Sequence, residues 1–140
     1  MAYKVHAGPA ELPNPLFEEG KAGEAFLPGA VVVKASGAFT KGATDTVGAL
    51  LIAKEYGPGQ GGHIADAFAV NDHVDAYKAR QGLFFRVRVP TGQALVAGET
   101  EMERGATGDL QIVTTGAAIA VARETVTTIT GDQLVLVEVL

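Results

Sequence analysis

Glycine returns every few residues along this chain, 18 times in 140 positions. Long helices have little room between these interruptions, because each Gly inside a helix costs about 1 kcal/mol relative to Ala. Twelve Thr accompany a single Ser, Ser36, while Val, Leu and Ile are too abundant for a disordered polar tract. Short strands joined by tight turns satisfy all three facts. The expected fold is therefore all-β, a small antiparallel β-barrel or β-sandwich with little helix.

Leu83-Phe84-Phe85-Arg86-Val87-Arg88-Val89 carries the clearest period. Leu83, Phe85, Val87 and Val89 share one face, and Phe84, Arg86 and Arg88 share the other, as in a half-buried strand. Pro90, Thr91 and Gly92 end it. Residues 30–35, 50–54, 110–114 and 117–124 also read as strands. The final run, residues 134–140, is apolar except for Glu138, which predicts a strand buried on both faces. Thr130-Gly131-Asp132-Gln133 before it predicts a hairpin loop and a closing antiparallel pair. Residues 63–70 fit either a strand or a single helical turn. Ala-Gly-Glu occurs at residues 22–24 and again at 97–99, followed by Gly29 and by Gly105; each copy reads as a turn that hands one strand to the next, with Gly at a bend of positive φ.

Pro9, Pro13 and Pro15 give residues 1–20 a different character. Proline removes an amide donor and holds its predecessor extended. This predicts an extended N-terminal arm ahead of one β domain over residues 21–140. Tyr3, Val5, Leu12, Leu16 and Phe17 are the arm's apolar side chains, and they are the candidate contacts with another subunit or a partner surface.

The totals exclude several functions. Eleven Lys and Arg stand against 16 Asp and Glu, a net charge of −5. The cations are scattered, which argues against nucleic acid as a partner. No run approaches the roughly 20 apolar residues of a membrane span, and no secretory signal is expected at the start. Without Cys, thiolate chemistry is absent. Ser36 sits in Lys34-Ala35-Ser36-Gly37, which is no nucleophile elbow. Glu99, Glu101 and Glu103 read as a solvated acidic edge rather than a catalytic pair. Residues 57–62 hold four glycines but lack the Lys and following helix of a phosphate loop. Lys78 lacks the hairpin-tip setting of a lipoyl or biotinyl carrier. His63, Asp66, Asp72, His73 and Asp75 form the densest polar group. Its two His are ten apart and its Asp spacing misses the calcium-loop pattern, so these read as hydrogen-bonded turn residues, with a metal as the alternative. No enzyme, no catalytic residue, no cofactor and no metal is expected.

One further pattern runs through Pro28-Gly29-Ala30-Val31-Val32-Val33, Ala97-Gly98-Glu99 and Gly105-Ala106-Thr107-Gly108-Asp109-Leu110-Gln111. It continues through Ala118-Ile119-Ala120-Val121-Ala122-Arg123-Glu124 to the closing Gly131-Asp132-Gln133-Leu134-Val135-Leu136-Val137-Glu138-Val139-Leu140. In this order the segments resemble the capsid decoration (cement) proteins of tailed bacteriophages, over most of residues 22–140. The resemblance implies a structural virion protein, made in the host cytoplasm and placed on the outer capsid surface. It also implies the major capsid protein as partner, a homo-oligomer of trimeric form, and an arm that reaches the shell. Residues 57–62 and the His and Asp that follow have no counterpart in that pattern. The alternatives are another β-type virion component, such as a tail-tube or head-completion protein, and a small metal- or ligand-binding β-barrel.

Overall fold

A computed structural model describes residues 4–9, 12, 15–46, 48–57, 60, 62–129 and 133–140. The fold is all-β: among the described residues there are eleven strands and no helix. In chain order they are β1 (His6–Gly8), β2 (Phe17–Ala22), β3 (Val31–Ala35), β4 (Ala38–Lys41), β5 (Leu51–Ala53), β6 (His73–Lys78), β7 (Phe84–Val89), β8 (Glu101–Arg104), β9 (Leu110–Ile112), β10 (Ala120–Ala122) and β11 (Gln133–Val139). Strands β2-β4-β3-β5-β6 close into a barrel, and β1-β7-β11-β10-β8-β9 form a six-stranded sheet. All pairings are antiparallel except β2 with β4.

The barrel strands feed two cores from their two faces, because successive side chains point opposite ways. Val32, Leu51, Ala53, Val74 and Ala76 fill the barrel with Phe39 and Phe68. Val31, Ile52 and Tyr77, from the same strands, point outward and pack under the sheet with Phe85, Val87, Val135 and Val137. Burial on both faces thus belongs to β5, where all three residues are buried. It does not belong to β11, which alternates buried Val135, Val137 and Val139 with partly exposed Leu134, Leu136 and Glu138. The expectation for residues 134–140 is corrected on this point: β11 lies inside a sheet whose second face stays partly open.

The closing antiparallel pair exists, with Ala120 opposite Val139 and Ala122 opposite Val137. The partner strand is β10; residues 130–132 of the expected hairpin loop lie outside the described residues. Ser36 (φ 53) and Gly37 (φ 77) form the tight turn between β3 and β4, the left-handed pair that matches strand twist in a two-residue hairpin. The two Ala-Gly-Glu copies diverge: Gly29 (φ 87) and Gly98 (φ 79) take positive φ while Gly105 does not, and only the second copy leads directly into a strand, β8.

The two bodies are tied at defined points. Arg88 of β7, only 8% exposed, donates from Nε to Pro28 O (2.9 Å) and from Nη2 to Ile64 O (2.7 Å) in the loops of the barrel. Gly29 N donates to Ala53 O, and Gly29 O accepts from Arg88 N. Arg104 Nη2 of β8 donates to Gly48 O at 2.9 Å.

Candidate functional site

The N-terminal stretch divides into a docked part and an exposed part. Tyr3 lies outside the described residues. Val5 is fully buried in the core shared by barrel and sheet, so its side chain cannot serve as an interface contact; this corrects the expectation for Val5. The cause is local pairing. Strand β1 adds to the edge of β7, Val5 O accepts from Arg86 N at 2.7 Å, and Val5 N donates to Glu55 Oε2 at 3.0 Å. His6 packs against the rings of Tyr77 and Phe85, at 6.0 and 5.5 Å between centroids. Tyr77 also donates to Glu55 Oε1 at 3.3 Å. Burial, followed by the charge of Glu55, raises the Tyr77 phenol above its usual range, so it stays a neutral donor.

Leu12, Leu16 and Phe17 are exposed, at 39%, 57% and 47%. Phe17 to Gly20, read above as the end of the arm, are the first residues of β2 and pair with β6. Leu16 is fastened by its backbone, whose carbonyl accepts from Lys78 N, so the ladder presents its side chain to solvent. Lys54 Nζ stands 5.1 Å from the Phe17 ring centroid, a cation–π contact that steadies one edge of the ring. Leu12, Leu16 and Phe17 are thus three exposed large apolar side chains close together in sequence, the last two on backbone framed by β6.

The polar group of residues 63–75 separates into three parts. Asp66 Oδ2 accepts from His63 N at 3.0 Å, closing one turn. Asp72 Oδ2 accepts from Ala69 N at 2.9 Å, closing the next. His73 and Asp75 sit on β6, with His73 Nε2 and Asp75 Oδ1 3.0 Å apart. Directly across the ladder from Asp75 stands Glu19 of β2. Donor atoms of Glu19, His73 and Asp75 all lie within 4.8 Å of one another. Sequence reasoning missed Glu19 because only strand pairing brings residue 19 to residue 75.

Of the three alternating acids, Glu99 and Glu101 are exposed, whereas Glu103 is only 5% exposed. The solvated-edge expectation is corrected for Glu103. Its carboxylate accepts from Gln111 Nε2 (3.0 Å), Thr114 Oγ1 (2.9 Å) and N, and Gly116 N (2.5 Å). The hydrogen bonds of Gln111, then Thr114, hold its pKa below the ordinary value. Glu103 therefore organises the loop after β9.

Ser36 occupies the exposed β3–β4 turn. Lys78 lies within β6, 3.7 Å from Glu18. A cleft of about 270 Å³ between barrel and sheet is walled by Ala25, Phe26, Leu27 and Ala30, with Lys41 and Arg88 as its charged groups; Arg88 is engaged by Pro28 and Ile64.

No protein-family model matches the sequence, and no curated protein does. Among solved structures the chain is similar to the head fiber gp8.5 N base in bacteriophage phi29, with a TM-score of 0.59 and 12% identity. The match covers 89% of this chain and 93% of that one. At that identity the two chains share a fold, a likeness that includes nearly the whole of both.

Proposed function

We propose that this chain is a structural, non-enzymatic component of a bacteriophage head, bound to the outer capsid surface. The observation that carries this reading is the end-to-end fold likeness to a phage head fiber base. The decoration-protein resemblance of the sequence points to the same place on a virion. Leu12, Leu16 and Phe17 supply the contact with the shell, because they are exposed apolar groups, and the last two stand on backbone ordered by pairing with β6. Strand β1 pairs with β7 at the end of its sheet, and the grip on the shell is assigned to these side chains. The chain acts as a trimer at local three-fold positions, and many modest contacts add through their multiplicity.

The fold likeness to a fibre base favours a second reading on the same surface: the chain seats a projecting structure and contributes no strength to the shell. Heads that lack the protein separate the two when purified chain is added back. A cement role predicts saturable binding and a higher rupture temperature. A fibre-base role predicts saturable binding with rupture unchanged. Absence of saturable binding eliminates both. Leu16→Ser with Phe17→Ser should weaken binding at least tenfold while leaving the far-ultraviolet circular dichroism unchanged.

A further inference from the structure

We propose that Glu19, His73 and Asp75 form a divalent transition-metal site on the outer wall of the barrel. The register of β2 against β6 sets Glu19 opposite Asp75 and Lys21 opposite His73. Side chains two apart on a strand share a face, so His73, Asp75 and Glu19 project together, and their donor atoms fall within 4.8 Å. Two carboxylates directly opposite each other on an antiparallel ladder repel. An imidazole beside them completes a mixed nitrogen–oxygen donor set, which suits zinc and its first-row neighbours better than calcium or magnesium.

The support around the set is stiff. Gln60 Nε2 donates to His73 O at 3.0 Å, and Gly57 N donates to Gln60 Oε1 at 2.6 Å. Gln60 thereby ties Gly57 to the backbone that carries the imidazole. Lys34 Nζ donates to Glu19 O at 2.7 Å and holds the other strand. Two ligands of a tetrahedral zinc ion, each about 2.1 Å from it, lie about 3.4 Å apart. His73 Nε2 and Asp75 Oδ1 already stand 3.0 Å apart, and binding would draw the carboxylate of the exposed Glu19 in to that span. The ion would take the place of the direct contact between His73 Nε2 and Asp75 Oδ1. Three protein ligands leave a coordination position facing outward, open to water or to a donor from a neighbouring molecule. Lys21 and Lys34 oppose the charge of the ion, which places the affinity below that of a closed structural site.

Isothermal titration of the full chain with zinc at neutral pH tests the assignment without reference to phage heads. One saturable site per chain is expected. Glu19→Gln, His73→Ala and Asp75→Asn should each weaken it at least tenfold, and His63→Ala should leave it unchanged. A hundredfold excess of magnesium should fail to displace the zinc. The assignment is overturned by the absence of a saturable site, by binding that survives His73→Ala or disappears in His63→Ala, or by displacement with magnesium. Circular dichroism confirms that each variant is folded. The outcome bears on the metal site alone, since head binding is read by a different assay.

Discussion

Gly29 and Gly37 share a left-handed backbone and differ in their surroundings. Gly37 (φ 77) has open space where a Cβ would stand, so Gly37→Ala meets only the backbone penalty, about 1–2 kcal/mol. Gly29 (φ 87) lies at the junction of barrel and sheet, where a Cβ would overlap the Leu134 side chain and approach Arg86 O at 3.2 Å. Overpacking adds about 1–3 kcal/mol, so Gly29→Ala should lower stability in urea clearly more than Gly37→Ala. Equal losses would contradict the close approach. Glu103 gives a pH signature. Its folded pKa is lowered from the ordinary 4.5, so its ionised form contributes stability that is present above that value and lost as pH falls through the lowered pKa. The stability gap between the native chain and Glu103→Gln should be full at neutral pH and shrink below about pH 4.5; a gap independent of pH would refute the carboxylate's role. The bend at Gly29 and the turn at Ser36-Gly37 were legible in the sequence, since glycine there answers a local backbone demand. Burial of Glu103 was not, because it follows from the pairing of β8 with β9, which brings Gln111, Thr114 and Gly116 onto its carboxylate.

Strands were legible where one face is apolar over several residues. Residues 83–89 became β7 with Leu83, Phe85, Val87 and Val89 buried, and residues 30–35 and 50–54 became β3 and β5. Strand β4 offers one large apolar residue, Phe39, in four positions, too short for a period to register. Strand β6 hid for another reason: Tyr77 faces out of the barrel yet is buried under the sheet, so both of its faces carry apolar residues and the alternation is blurred. The N-terminal segment misled at Val5, whose burial follows from docking on β7. Removing two of its methyl groups should cost about 2 kcal/mol, read as a lower urea midpoint for Val5→Ala. An unchanged midpoint would mean that Val5 contributes nothing to the core.

Barrel and sheet are joined by a shared apolar core and by polar ties that cross between them. Arg88 is the buried one, a β7 cation satisfied by barrel-loop carbonyls. Arg88→Met keeps the apolar stem and removes the donors, with an expected loss of about 2–4 kcal/mol, given the strength of charged hydrogen bonds and the carbonyls left behind. A loss under about 0.5 kcal/mol, the range of neutral surface changes, would show that the joint does not depend on it. At this scale the sequence carried the fold class and the phage-head resemblance, but not the division into a closed barrel and a six-stranded sheet, which depends on pairings such as β2 with β6 across some fifty residues of chain. The claim that unites the account is attachment to the outside of a phage head through the surface bearing Leu12, Leu16 and Phe17. Electron cryo-microscopy of heads saturated with the purified chain tests it most directly. The account predicts added density on the outer surface at local three-fold positions, with that apolar surface against the shell; density confined to the tail, or heads that look the same with and without the protein, would contradict it.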